Sequence, residues 1–113
     1  MESKVDTTLA ALSDPSRRAV VELLRKSPLC SSEIASRLSM SRPAMSRHLR
    51  VLRRSGLVEE NDDENDARIR LYRLRPERFA ELRGWVEEVE AFWGEQLAGF
   101  KAHAERRQRR RAP

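Results

Sequence analysis

Residues 41–58, SRPAMSRHLRVLRRSGLV, constrain this chain more than any other stretch. The first fourteen positions hold five arginines and one histidine and no acid, yet Met45, Leu49 and Leu52 recur at helical spacing. Side chains three and four residues apart share one face of a helix. The spacing therefore predicts a helix with one side in a core and a comb of positive charge on the other. Ser41 stands where an N-cap is wanted, and Arg42 and Pro43 open the helix, where proline's missing N–H costs nothing. Gly56 closes it just past the C-cap, where a left-handed backbone suits glycine. With one side buried, Arg42, Ser46, Arg47 and Arg50 project from the other. A helix fits the major groove of B-DNA, and arginine pairs bidentately with guanine O6 and N7. Arg42 and Arg47 lie nearest the N-terminal half that enters the groove and are assigned to base readout. Arg53 and Arg54 are assigned to phosphate or to acids of neighbouring elements.

The flanking segments supply the scaffold. In SDPSRRAVVELLRKSP, Asp14 caps a helix opened by Pro15, with Val20, Val21, Leu23 and Leu24 on its apolar side and Pro28 at its end. CSSEIASRL is a short helix burying Ile34, Ala35 and Leu38. Its Glu33 follows Cys30 at the spacing of a capping box, with cysteine where serine or threonine is usual. After Gly56 the period changes: LVEE and RIRLYRL are strand-like and NDDENDA is a polar turn, which predicts a β-hairpin with an acidic tip. Pro76 opens a last helix, about 77–105, with Phe79, Leu82, Val86, Val89, Trp93, Leu97 and Phe100 on one seam, widened by Trp85 and Phe92. Such a stripe is the packing seam of a bundle or dimer. Leu9 and Leu12 make a short apolar start on the same account. The resulting fold class is mainly α with a small β-hairpin wing (α+β), a winged helix-turn-helix. Residues 1–105 form the domain, and 106–113 are expected to be a disordered basic tail.

Composition supports this outline. A chain of 113 residues with 39% apolar and 36% charged residues buries a limited core, which favours oligomers. No apolar run is long enough for a membrane span, and the N-terminus lacks the pattern of a signal peptide. The one cysteine, Cys30, suits a reducing compartment, so a cytoplasmic location is expected. The net charge of +5 is unevenly spread: residues 41–55 carry +5, residues 59–66 carry −6, residues 68–78 carry +4 and residues 79–105 carry −4. A segregated field points to an anionic partner meeting one face, and double-stranded DNA fits. Arg68 and Arg70 on the wing are candidates for phosphate or minor-groove contact, although the acids at 62, 63, 64 and 66 oppose that role.

At this point the sequence resembles the bacterial ArsR (SmtB-type) winged-helix repressors. The matching residues are ALSDPSRRAVVELL (11–24), LCSSEIASRLSMSRPAMSRHLRVLRRSGLV (29–58) and RLYRL (70–74). The resemblance implies a homodimeric operator-binding protein, usually a repressor, that pairs through its first and last helices, and two-fold symmetry then predicts an operator with an inverted repeat. It also implies a glycine in the turn, near Ser39 or Met40, where this chain has none. Metal-sensing members carry a Cys-x-Cys pair, of which only Cys30 is present, with Ser32 in the second place. Their alternative site on the last helix needs a cluster of aspartate, histidines and glutamate across the dimer, toward which this chain offers a single histidine, His103. The chain is similar to the metal-ligand-poor subset of the family, so no metal and no cofactor are expected, and the effector is unknown.

Several readings stay open on sequence alone. His48 either bonds a phosphate or is a structural histidine. Cys30 is either a reactive thiol, favoured by a helix N-terminus, or a stand-in for a capping serine. The aromatic helix is a dimer seam or lines a ligand pocket. A calcium loop in the acidic turn is rejected, since Ala67 stands where glycine is needed and no distal glutamate follows at the right distance. No catalytic constellation is present, so no enzyme is expected. Besides an operator-binding repressor, the pattern admits a protein-binding winged helix or a non-specific architectural DNA binder.

Overall fold

The computed structural model describes residues 3–111. Two compact units make up the chain, Met1–Leu82 and Arg83–Pro113, their border falling inside the last helix. The elements follow the order α1 (Lys4–Leu12), α2 (Pro15–Lys26), α3 (Ser31–Arg37), α4 (Arg42–Arg54), β1 (Val58–Asp62), β2 (Arg70–Leu74) and α5 (Pro76–Arg111). This is a winged helix-turn-helix: mostly helical, with one antiparallel hairpin. Among the described residues no helix is long and apolar enough to cross a membrane.

Local chemistry sets the helix ends. Ser3 and Asp6 form a reciprocal capping box on α1. Asp14 caps α2 by accepting from the backbone N–H groups of Ser16 and Arg17. Arg17 and Arg18 reach back to the carbonyls at the end of α1: Arg17 Nε donates to Ala11 O at 2.6 Å, and Arg18 donates to Leu12 O at 2.7 Å. Those carbonyls would otherwise lack partners, as at any helix C-terminus, so the two helices are joined through their ends. Ser41 Oγ accepts from Ala44 N at the start of α4, and Gly56 takes φ +76° just past its C-cap Ser55. The positive φ is what calls for glycine at 56; a Cβ there would lie 3.1 Å from Arg78 Nε, the end of a flexible side chain that would have to shift slightly.

The core of the first unit gathers Ala11 from α1, Val20 and Leu24 from α2, Ile34 and Ala35 from α3, and Met45, Leu49 and Leu52 from α4. Leu29, Leu57 and Val58 complete it, and Tyr72, Leu74 and Phe79 pack at its edge. In the hairpin Val58 faces Leu74, Glu60 faces Tyr72 and Asp62 faces Arg70. Alternation along a strand puts these six side chains on one face. Leu29 adds a single bridge to β2: its N–H donates to Tyr72 O, and Tyr72 N–H donates back at 2.8 Å. The wing root is thereby tied to the loop before α3.

Three expectations need correction. Cys30 does occupy the N-cap of α3, but the capping box is absent: its side chain makes no cap bond, and Glu33 pairs instead with Arg37 at 2.8 Å. Sulfur is a weak acceptor, and one helical turn on, Arg37 offers Glu33 a stronger partner. β1 extends through Asn61 and Asp62, two residues beyond LVEE, because those residues pair with Leu71 and Arg70. The last helix does not stop at 105 but runs to Arg111. Arginine and glutamine are good helix formers, and the next breaker is Pro113. Ala112 and Pro113, the end of the expected tail, lie outside the described residues.

The turn between α3 and α4 carries a strain that the sequence foreshadows. Ser39 adopts φ +53°, the left-handed region that glycine occupies freely. A residue with a Cβ loses about 1–2 kcal/mol there. Ser39→Gly is expected to raise stability by about 1 kcal/mol, less the extra entropy of an unfolded glycine. Urea denaturation checks this: the midpoint should rise at unchanged slope, and a lower midpoint would show that the serine relieves the strain by its own contacts.

Candidate nucleic-acid interface

Burial of Met45, Leu49 and Leu52, none more than 2% exposed, fixes the rotation of α4 about its axis. Arg42, Ser46 and Arg50 then follow one another at intervals of four along an exposed stripe, and Arg47 stands beside Ser46, also exposed. Among the described residues no carboxylate lies within 4.0 Å of Arg42, Arg47, Arg50 or Arg54, whereas Arg53 is held by Glu60 at 2.6 Å. Ser41 is exposed, with its hydroxyl engaged as the cap.

Two adjoining clefts run between this stripe and the wing. One, of about 210 Å³, is lined by Ser31, Ser32, Arg42, Met45, Ser46, Leu49 and Tyr72. The other, of about 200 Å³, is lined by Ser46, Leu49, Arg50, Arg53 and Tyr72. Together they present hydroxyls and guanidinium groups, which are donors suited to phosphate oxygens. Ser31, Ser32 and Tyr72 escaped the sequence reading, which followed charge alone. Strand alternation does carry the signal for Tyr72, since it shares a face with Arg70 and Leu74.

His48 is half-buried and lies outside the stripe, on the side of α4 toward α2. Burial works to raise the pKa of Asp14, but hydrogen bonds from the Arg17 and Ser16 backbone and the charges of Arg17 and His48 outweigh it and hold the carboxyl below its ordinary value. On the wing, Arg68 grips Asp66 with two bonds of 3.0 Å, and Arg70 lies 3.5 Å from Glu60 and 3.8 Å from Asp62. Both wing arginines that the sequence offers to DNA are thus engaged with acids of the wing itself. Cys30 is half-buried, and its sulfur sits 3.3 Å from the Ser32 hydroxyl. The hydrogen bond with that hydroxyl holds the thiol below its ordinary pKa. Among the described residues no three His, Cys, Asp or Glu side chains converge as a metal site would require.

Residues 83–111 form a separate surface. Trp85, Phe92, Trp93, Leu97 and Phe100 are all exposed, Phe100 to 74%. The rings of Phe92 and Trp93 meet edge to face at 6.3 Å. Leu9 on α1 is exposed as well, while Leu12, Phe79 and Leu82 are half-buried, with Leu12 and Phe79 packed against their own core.

Residues 14–60 match the family described as bacterial regulatory protein, arsR family. The chain is 40% identical over 95 residues to the HTH-type transcriptional regulator Rv2034 of Mycobacterium tuberculosis, covering 84% of this chain and 83% of that one. The chain belongs to the ArsR family. Among solved structures it is similar to an ArsR-like transcriptional regulator from Rhodococcus sp. RHA1, at 31% identity and a TM-score of 0.74, covering 88% of this chain and 91% of the other. It is also similar to a homodimeric winged helix-turn-helix DNA-binding domain from Mycobacterium bovis, at 26% identity and a TM-score of 0.61, covering 82% and 83%. Family and relatives are transcriptional regulators rather than enzymes.

Tyr72, the only tyrosine, reports on the cleft. Burial and then the neighbouring Glu60 charge push its phenol above the ordinary value of 10.0, against the opposing charges of Arg53 and Arg70. Alkaline titration at the phenolate absorbance band should give a midpoint above 10 in the native protein, and the ordinary value in denaturant. A raised native pKa means that the protein is fully stabilised by this group below pH 10 and loses that contribution as pH rises through the native value. A native midpoint at 10 would place the phenol in open solvent, and one below 10 would mean that the Arg53 and Arg70 charges outweigh burial.

Proposed function

We propose that this ArsR-family protein is a cytoplasmic homodimeric repressor. Each protomer lays α4 in one of two successive major grooves of an inverted repeat, with half-sites about one helical turn apart. The observation that carries the reading is the stripe Arg42, Ser46, Arg47 and Arg50: exposed, without acid partners among the described residues, on a helix whose opposite side is locked in the core. Arg42 and Arg47 read base edges. Ser46 and Arg50, with Ser31 and Ser32, bond phosphate from the clefts beside the wing. Ser41 holds the first turn of α4 in place, and His48 supports the helix toward Asp14. The arginines from Arg106 onward, helical through Arg111, add sequence-independent affinity by neutralising phosphate. Bound at its own or a neighbouring promoter, such a dimer blocks transcription by occupying it.

Dimerisation rests on the exposed apolar stripe of α5 together with Leu9 and Leu12 of α1, and on the homodimeric state of the Mycobacterium bovis relative. Each Phe92 ring covered in the dimer contributes about 1.5–3 kcal/mol, and two-fold symmetry counts it twice. Phe92→Glu is therefore expected to shift sedimentation from dimer to monomer at micromolar concentration, with the far-ultraviolet helix signal of the first unit retained. A dimer as tight as the parent would move the interface elsewhere.

The DNA reading is tested by retention of genomic fragments at physiological salt with excess competitor. A few promoters sharing an inverted repeat should be enriched. On such a fragment Arg47→Ala should lose about 1–3 kcal/mol and relax preference at one base pair per half-site. Equal loss on random DNA would remove Arg47 from base readout. Uniform, salt-sensitive retention would leave an architectural binder, and no retention would turn attention to an acidic protein partner.

A further inference from the structure

The wing face turned toward α4 is built in three tiers. At the root Val58 and Leu74 pair in and against the core, next come Glu60 and Tyr72, and beyond them Asp62 and Arg70. The middle tier is where charge from two elements meets. Glu60 is the most buried acid of the wing's ion pairs, its side chain 15% exposed. One of its oxygens takes a hydrogen bond from Arg53 of α4 at 2.6 Å, and the other lies 3.5 Å from Arg70 of β2. Arg53 and Arg70 are themselves 56% and 65% exposed, at the edge of the cleft that holds Arg50 and Ser46. Two solvent-facing cations thus meet at Glu60, Arg70 having Asp62 at 3.8 Å as a more distant second partner, next to a helix whose other exposed arginines have no carboxylate within 4.0 Å among the described residues.

We propose that Glu60 is an electrostatic brake on DNA binding: it keeps Arg53 and Arg70 against the protein and so withholds two cations from the phosphate backbone. The proposal rests on the reading of α4 as a DNA-binding helix and adds a positioning residue to it. Arg53 and Arg70 are more than half exposed, so their pairing with Glu60 contributes little to fold stability and makes its difference in the charge offered to a polyanion. Each lysine or arginine that neutralises a phosphate releases counterions and steepens the logarithmic salt dependence by about 0.9 on duplex DNA. With Glu60 in place, Arg53 and Arg70 add nothing to that slope.

The test measures affinity and salt dependence on random duplex and on a retained promoter fragment. The proteins are the full-length parent, Glu60→Gln, Arg70→Gln, the double variant, and Glu64→Gln. Glu64→Gln removes the same charge from the wing tip, where no cation lies within 4.0 Å among the described residues. Glu60→Gln is expected to steepen the slope by about 1–2 per protomer and to raise affinity on both DNAs about 3- to 10-fold at low salt, beyond any rise in Glu64→Gln. Arg70→Gln alone should leave the slope unchanged, yet remove about 0.9 of the gain in the double variant. That dependence on background is one that a merely structural glutamate would not produce. A slope in Glu60→Gln equal to that of Glu64→Gln, or a flatter one in Arg70→Gln alone, overturns the brake. The Arg70→Gln result stands even if Glu60→Gln fails to fold. Failure of the parent protein to bind either DNA would instead overturn the DNA-binding reading itself.

Discussion

Everything on the surface of the first unit depends on how one helix is rotated, and three buried side chains set that rotation. Met45, Leu49 and Leu52 are removed from water almost completely, each stabilising the fold by about 1.5–3 kcal/mol. Turning α4 by one residue, about 100°, would carry all three off the core and, in one sense of rotation, bring Ser46 and Arg53 toward it. Burying an unpaired guanidinium costs several kcal/mol, so burial and charge penalise the rotated state together. The order of the charged stripe is therefore a consequence of the apolar row behind it. The same coupling explains why the short α3 is sufficient support: Ile34 and Ala35 close the other side of that row.

The charge of the chain is organised by which arginines find acids. Residues 41–55 and 68–78 look equally basic in the sequence. In the fold they differ, because strand pairing delivers the acids of β1 to the bases of β2, and only Arg53, at the far end of α4, comes within their reach. A hairpin places residues opposite one another at roughly 5 Å, close enough for each acid to meet a base. A helix surface four turns long offers its arginines no such neighbours unless acids occur at intervals of three or four, and α4 has none. Local sequence thus decides that the basic helix stays open to a polyanion and that Arg68 and Arg70 of the wing do not.

The parts of this fold that were legible beforehand are those decided within a few residues. Asp14, Ser41 and Gly56 act as the caps and stop that their types and spacings imply, since a cap bond joins residues two or three apart. The buried rows of α2 and α4 follow from helical period alone. The family pattern, with its missing turn glycine, pointed to the place where Ser39 takes a left-handed backbone. Contacts between distant residues were not legible: the Leu29–Tyr72 bridge spans forty-three positions, and the grip of Glu60 on Arg53 depends on how the hairpin leaves α4. Cys30 misled for a different reason. Its position matched a capping box, but a sulfur atom cannot replace the hydroxyl's hydrogen bond. In the interface, counting positive charge found the helix arginines and passed over Ser31, Ser32 and Tyr72, which enter the clefts through geometry rather than charge.

The last helix poses the opposite problem, because its own chain explains so little of it. Gly94 and Gly99 each cost about 1 kcal/mol relative to alanine in a helix interior, and no atom approaches the space where their Cβ would stand. Five of the chain's six aromatic rings lie on this helix, four of them exposed within residues 83–111. An exposed aromatic stripe of this length on a lone helix is a liability in water, both for solubility and for the order of the helix itself. In the dimer proposed above, the two terms cancel together: the rings are covered, and the glycines allow a neighbouring backbone to come close. The helix is then as stable as its partner is abundant, since an interface that binds only the folded state stabilises it by mass action. Operator occupancy and folding of α5 would rise with the same concentration, so a protein at low copy number would be both weakly bound and partly unravelled at this end.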